Sequence, residues 1–217
     1  MPRLVADGTT HLICTPHIRP GLYDNDKVGI DAALADYRAA LASAGIPLAV
    51  GAAAEVRFGL EVMSNAERGA LPLLGVWQGQ RVVLLEFPHT EVPYGAERLT
   101  GWLIEHDILP MIAHPERNRD IVNDAERLQP FLDQGCLMQI TAGAVTGQFG
   151  EGAEACAERL IARGDAHCIA SDAHNTRNRV PGLTLAAEAV ERRHGSDAAR
   201  TLVIDNPWHI AASHFAA

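Results

Sequence analysis

Histidine, glutamate and aspartate residues stand directly after short apolar runs at five places in the sequence. Imidazole nitrogens and carboxylate oxygens are mixed donors that suit divalent ions such as zinc, manganese or iron. Any one of these residues alone is more commonly a core or ion-pair group, so the prediction depends on their joint placement. The six candidate metal ligands are His17, Glu55, Glu86, His114, Asp172 and His174.

Two arginines accompany the candidate ligands. Arg117 follows His114 by three residues, and Arg179 follows His174 by five. The planar guanidinium offers a fork of donors that matches phosphate oxygens. The alternative is that these arginines pair with nearby acids such as Glu116 or Asp120. Their position beside the ligands favours phosphate, and we therefore predict a phosphoester substrate.

The apolar runs before these residues predict β-strands buried on both faces, because they are short and show no alternation with polar residues. Helical periodicity fills the intervals between them. The expected strands are His11–Thr15, Pro47–Val56, Arg81–Phe87, Leu109–His114, Cys136–Thr141 and Ala166–Ser171. The expected helices are Asp26–Ala44, Tyr94–His106, Asp124–Gln134, Ala153–Arg163 and most of Leu183–Ala212.

This alternation is typical of right-handed βαβ units, in a barrel or in an open doubly wound sheet. The carboxyl ends of the strands form the active-site rim of (β/α) barrels, so we expect the candidate ligands to converge there. Asp172 and His174 are two residues apart and should project to the same side of a strand. The opening segment, Pro2–Gly8, resembles the last turns of a helix, which suggests that an upstream strand and helix are missing.

Composition excludes several classes of function. The chain has 217 residues, with 18 basic and 27 acidic side chains and a net charge of −9, which argues against nucleic-acid binding. A 47% hydrophobic and 21% charged composition is typical of a globular domain, and we expect one domain over residues 1–217. No apolar run is long enough for membrane insertion, and no signal peptide is evident. Four cysteines without a C-x-x-C pair indicate reduced thiols and a cytoplasmic protein. The sequence leaves open whether the protein forms a homo-oligomer.

Five segments together resemble the polymerase-and-histidinol-phosphatase (PHP) superfamily. Within it, the chain is most similar to the bacterial metal-dependent tyrosine-protein phosphatases of capsule and exopolysaccharide biosynthesis. The motifs HPERN and SDAHN are the most specific part of the match. The segments are Asp7–His17, Gly51–Glu55, Leu84–Pro88, Ile112–Asn118 and Ser171–Asn175.

The resemblance implies a distorted (β/α)7 TIM-like barrel, the PHP fold, which holds up to three divalent cations. Manganese is expected first, with iron, zinc, cobalt or magnesium as alternatives. It implies metal-ligand roles for the six residues given above and phosphate contacts by Arg117 and Arg179. It also implies a phosphotyrosine protein as substrate, namely a bacterial tyrosine kinase that polymerises surface polysaccharide.

The sequence departs from the family pattern at its start. Family members begin with a strand that carries a His-x-His pair, followed by an acidic ligand, and this chain has nothing equivalent before Thr15-Pro-His17. We therefore expect an N-terminally truncated chain, a barrel that lacks its first strand and helix, and fewer bound ions than in the family.

The predicted function is that of a metal-dependent phosphotyrosine-protein phosphatase. Hydroxide formed from metal-bound water would attack phosphorus, and the two arginines would neutralise the phosphoryl oxygens. Two alternatives stay open. One is a small-molecule phosphomonoesterase, such as a histidinol-phosphate phosphatase, or a nuclease-like phosphodiesterase. The other is a degenerate, non-catalytic module that only binds a kinase.

Overall fold

Strands alternate with helices along residues 2–216, the part of the chain that the computed structural model describes. The strands of this part are β1 His11–Cys14, β2 His17–Ile18, β3 Ala49–Ala52, β4 Glu55–Arg57, β5 Gly75–Trp77, β6 Gln80–Glu86, β7 Ile108–Ala113, β8 Leu137–Thr141 and β9 Cys168–Ala170. The longer helices are α2 Lys27–Ser43, α3 Glu61–Glu67, α4 Ala96–Glu105, α8 Glu151–Arg163 and α9 Leu183–His194.

Short helices complete the chain. The α-helical ones are α1 Pro2–Ala6, α5 Arg119–Asn123, α6 Gln129–Asp133, α7 Ala142–Val145, α10 Ser196–Arg200 and α11 Asn206–Ala211. Three 3-10 turns and a π-helical turn are Pro115–Arg117, Ala125–Leu128, Ala212–His214 and Thr201–Asp205. No helix among residues 2–216 combines the length and the apolarity needed to cross a membrane.

The strands pair mostly in parallel. In the larger sheet the order is β2-β4-β6-β7-β8-β9, and β5 adds to β6 as an antiparallel hairpin. Strands β1 and β3 form a separate parallel pair. The prediction of an α/β fold with a mainly parallel sheet is confirmed. Because the strands run in one direction, their carboxyl ends lie at one edge, and the side chains that follow them meet there.

The centre of the larger sheet is almost free of solvent. In β7 all six residues are buried, and in β6 the last five are. Ile112 and Met138 are 0% exposed in the core between the sheet and its helices. This burial on both faces explains the uninterrupted apolar runs of the sequence. It also fixes the ends of these strands, and therefore the side chains that follow them.

The expected strand Pro47–Val56 was wrong as a single element. It forms β3 and β4, which pair with β1 and β2 respectively. Pro16 lies between β1 and β2 and has no backbone N–H, so the ladder is interrupted there. Glu55 N nevertheless donates to Pro16 O at 3.1 Å, and this hydrogen bond connects the strand pair β1–β3 to the strand pair β2–β4.

One further expectation on the elements was wrong, and one element was not predicted. Helix Asp124–Gln134 is instead a 3-10 turn followed by α6, which carries Pro130 in its first turn. The hairpin of β5 and β6 was not predicted. Its two central residues, Gln78 and Gly79, both have positive φ, as a type I′ turn requires, but the sequence lacks the usual Asn-Gly signal.

Candidate metal centre

Three candidate ligands come from neighbouring strands. His17 in β2 lies opposite Glu55 in β4, and the next strand, β6, ends in Glu86. One donor atom from each of these side chains lies within 4.8 Å of the others. Both glutamates are buried, at 4% and 6% exposure. The register of the parallel strands thus brings an imidazole and two carboxylates to one point.

His114 joins this group at the end of β7. Its Nε2 lies 3.2 Å from Glu55 Oε1. Burial favours neutral imidazole, but the hydrogen bond and the charge of Glu55 outweigh it and raise the pKa of His114. For Glu55, burial opposes the charged form, whereas His114 and the neighbouring histidines lower its pKa overall. Both shifts follow from the close contact between the Glu55 carboxylate and the His114 imidazole.

Backbone strain accompanies two of the candidate ligands. His114 has φ of 34° and Asp172 has φ of 45°, both in the left-handed region that side chains other than glycine rarely adopt. Such conformations persist where the surrounding fold forces them, and they are frequent at functional sites. In both cases the chain turns sharply just after a buried strand and directs the side chain into the same edge of the sheet.

Asp172 and His174 do not lie on a strand, so the expectation that they share one side of a strand was wrong. Strand β9 ends at Ala170, and the positive φ of Asp172 turns the chain away. His174 Nδ1 lies 2.9 Å from Asp172 O, and its ring lies 5.8 Å from the ring of His17. The loop still brings both residues to the group formed by the strand ends.

The two arginines meet on one carboxylate. Arg117 Nη1 donates to Asp172 Oδ2 at 2.8 Å, and Arg179 Nη2 contacts the same oxygen. Both arginines thus pair with a nearby acid, as the alternative expected, but the acid is Asp172 and not Glu116 or Asp120. Their side chains are 17% and 26% exposed, so both guanidinium groups border solvent at the edge of the site. A shared anionic partner orients both forks towards the same region.

The donor set fits a divalent ion. Two buried carboxylates and an imidazole bring their donor atoms to one point, and His and carboxylate donors match manganese, iron or zinc. His17, Glu55, Glu86 and His114 would form the innermost donors, with His174 and Asp172 at the border. The chain thus supplies a candidate metal centre next to two arginines that share the Asp172 carboxylate.

The comparison with known proteins decides the family. Residues 3–212 match the protein family described as "Capsular polysaccharide synthesis, CpsB/CapC". The chain belongs to the CpsB/CapC family. It is 34% identical to the tyrosine-protein phosphatase YwqE of Bacillus subtilis over 89% of this chain and 75% of the relative. It is 33% identical to a putative tyrosine-protein phosphatase, CapC, of Staphylococcus aureus over 80% and 67%, respectively.

A structural neighbour agrees with the family assignment. The chain superposes with a TM-score of 0.89 and 31% identity on a protein from the crystal structures of YwqE from Bacillus subtilis and CpsB from Streptococcus pneumoniae. The match covers 97% of this chain and 84% of the neighbour, and those proteins are described as unique metal-dependent tyrosine phosphatases. The resemblance to bacterial capsular tyrosine-protein phosphatases is therefore confirmed.

Sequence analysis missed three side chains of this CpsB/CapC site. Arg57 Nη1 lies 3.2 Å from Glu86 Oε2, and alternation from Glu55 in the same strand could have indicated it. The ring of His89 lies 5.3 Å from that of His114, and burial together with nearby positive charge lowers the pKa of His89. The ring of Phe149 lies under Arg117, 4.5 Å from the guanidinium carbon, and no sequence signal indicated this contact.

Glu116 anchors the turn between His114 and Arg117. Its side chain is fully buried, and Oε1 accepts hydrogen bonds from Thr141 N at 2.9 Å and Thr141 Oγ1 at 2.7 Å. Burial raises the pKa of this carboxyl. The turn is thus tied to the end of β8, which fixes the directions of the imidazole before it and the guanidinium after it.

Proposed function

We propose that this member of the CpsB/CapC family is a metal-dependent protein-tyrosine phosphatase of capsule or exopolysaccharide synthesis. The observation that carries the proposal is the convergence of His17, Glu55 and Glu86 donors within 4.8 Å, next to two arginines on one carboxylate. The names of the relatives YwqE and CpsB as tyrosine-protein phosphatases support the same reaction.

The proposed ligands would bind divalent cations, with manganese first among them. Such ions, when bound, make water nucleophilic at neutral pH and polarise a phosphoryl oxygen. The ligand set is His17, Glu55, Glu86, His114, Asp172 and His174. The Arg57 guanidinium restrains Glu86, and His114 restrains Glu55, so the two carboxylates are held in place by their neighbours.

Arg117 and Arg179 would bind the equatorial oxygens of the phosphoryl group. Charge on these oxygens must be stabilised as the ester bond breaks, and preorganised guanidinium donors do so without reorganisation. Asp172 orients both forks, and Phe149 supports Arg117 from below. A tyrosine leaving group has a pKa near ~10, so it needs less help from a general acid than a serine alkoxide.

The proposal also covers the barrel architecture, the protein substrate and the cellular location. The parallel strands would form a distorted (β/α)7 TIM-like barrel within one domain. The substrate would be the phosphotyrosine segment of a bacterial tyrosine kinase, and the reaction would take place in the cytoplasm. The parallel order of the sheet supports the barrel, and the naming of relatives as tyrosine-protein phosphatases supports a phosphotyrosine protein as substrate.

The direct test compares substrates and metals. Hydrolysis of p-nitrophenyl phosphate, a phosphotyrosine peptide and histidinol phosphate is measured with manganese and then with chelator. We expect turnover of both tyrosine-like substrates, its loss with chelator and little action on histidinol phosphate. Preference for histidinol phosphate would indicate the small-molecule phosphatase instead, and peptide binding without turnover would indicate the non-catalytic module.

A further inference from the structure

Exposed apolar side chains cluster at the edge of the sheet that carries the candidate metal centre. Nine large hydrophobic residues are exposed among residues 2–216. Five of the nine lie on loops or helix starts that follow β2, β4 and β6, and these are Leu22, Tyr23, Val28, Leu60 and Tyr94. Such clustering on one rim marks a surface that contacts a macromolecule.

A groove opens beside two of these residues, Tyr23 and Val28. One wall is the connection from β2 into α2, with Tyr23 and Val28, and the other is α3, with Glu61, Ser64 and Arg68. Its volume is about 450 Å³, within the range of roughly 300–1,000 Å³ that is usual for ligand pockets. None of its lining residues belongs to the proposed ligands or to the two phosphate-binding arginines.

The groove is continuous with the metal centre through His17. The ring of Tyr23, in the groove wall, stacks on the His17 imidazole at 5.3 Å. Asn25, also in the wall, donates from Nδ2 to His17 O at 2.8 Å. A substrate seated at His17 therefore reaches the groove only if it extends beyond the phosphorylated ring, as a polypeptide does and a small phosphomonoester does not.

We infer that this groove binds the polypeptide that flanks the phosphotyrosine, in extended form, with an apolar side chain packed against Tyr23 and Val28. The inference rests on the proposed function, and it assigns substrate selection to residues outside the chemistry. Val28 is 78% exposed, so most of its apolar surface is available for burial in such a complex. Peptides with leucine beside the phosphotyrosine should therefore be preferred over free phosphotyrosine.

The test fills the groove without removing any native contact. Ser64 is exposed on the groove side of α3, so Ser64→Trp places a large ring in the groove. Val28→Ser removes apolar surface from the opposite wall. The matched controls are Glu67→Trp, which adds the same ring to α3 outside the groove lining, and Leu185→Ser, at an exposed apolar position on α9.

Two readouts separate this inference from the proposed function. One is the affinity for a leucine-flanked peptide with a non-hydrolysable phosphonate analogue of phosphotyrosine, and the other is kcat/KM for p-nitrophenyl phosphate. We expect Ser64→Trp and Val28→Ser to weaken peptide binding by about tenfold while both controls bind normally. Turnover of the small substrate should stay at the wild-type level. If both groove variants bind the peptide as tightly as the controls do, the inference that the groove binds the peptide is wrong. If no protein, the wild type included, hydrolyses p-nitrophenyl phosphate, the proposed phosphatase activity is wrong instead.

Discussion

The Asp172 carboxylate pairs with two arginines and is also a proposed metal ligand. Its Oδ2 accepts from Arg117 and contacts Arg179, and its sequence motif implies a metal ligand as well. Carboxylates have several lone pairs, so one oxygen can hold guanidinium donors while the other stays available. The residue would therefore couple the two arginines to the proposed metal centre, and Arg117 is held by Asp172 on one side and by Phe149 on the other.

Phe149 should affect substrate binding through Arg117. Phe149→Leu keeps apolar volume but removes the ring under the guanidinium, which is worth about 0.5–1 kcal/mol. We expect kcat/KM for p-nitrophenyl phosphate to fall roughly two- to fivefold. Phe149→Tyr keeps the ring and should behave like the wild type. A wild-type kcat/KM in Phe149→Leu would show that the stacking does not position the arginine.

At the scale of elements, the turn after β7 depends on a buried hydrogen-bond pair. Thr141→Val removes the hydroxyl that donates to Glu116 Oε1 and also accepts from Ala144 N at 3.3 Å. Leaving a buried acceptor without its partner costs about 1–3 kcal/mol, and we expect the free energy of unfolding in urea to fall by that amount. Thr141→Ser retains the hydroxyl and is the control. Equal stability of the valine and serine variants would contradict the anchoring role.

The hairpin of β5 and β6 packs against α11 at a glycine. A Cβ on Gly75 would lie 1.9 Å from Ile210 O, and its φ is +138°. Gly75→Ala should therefore lower the free energy of unfolding by about 1–3 kcal/mol or more. Gly101→Ala is the matched substitution in α4, where the nearest neighbouring atom is 3.5 Å away, and it should stabilise the helix by up to about 1 kcal/mol. Similar thermal unfolding of the two variants would contradict the close packing.

How much the sequence predicts differs between these elements. The apolar runs located β6, β7 and β8 to within about two residues, because strands buried on both faces must be continuously apolar. The two-residue strand β2 carries too little pattern to be recognised, although His17 lies on it. The kink that moves Asp172 off its strand depends in part on a tertiary contact, since the Asp172 carboxylate is held by the distant Arg117 as well as by Arg179 in the same loop.

The candidate site, like the strands, could be predicted from the sequence only in part. Residue type and position after apolar runs indicate His17, Glu55, Glu86 and His114. The parallel register then brings them together, because His17 and Glu55 are paired first residues of β2 and β4, Glu86 ends β6 and His114 follows β7. Arg117 was found from its spacing, but its support by Phe149 was not. That contact joins a turn after β7 to a loop after β8, and Gly143 admits the ring, since a Cβ there would lie 2.7 Å from it.

At the scale of the whole molecule, metal binding should stabilise the fold. Divalent ions that bind the native donors but not the unfolded chain add about 2.7 kcal/mol at a hundredfold excess over Kd. For a chain of this length that corresponds to a rise in Tm of about 5–10 °C on adding manganese. Glu86→Gln should abolish most of the rise, whereas Glu67→Gln, at an exposed position on α3, should not. Equal rises in both variants would place the ion elsewhere.

The central claim is that the converging histidine and carboxylate donors hold ions on which phosphoester hydrolysis depends. The most direct measurement follows p-nitrophenyl phosphate turnover and bound manganese together, during chelation and readdition of the ion, in the wild type and in Glu55→Gln. We predict that wild-type turnover disappears with chelator and returns in proportion to bound manganese, and that Glu55→Gln neither binds the ion normally nor recovers activity. Turnover that survives chelation, or full recovery in Glu55→Gln, would contradict the account.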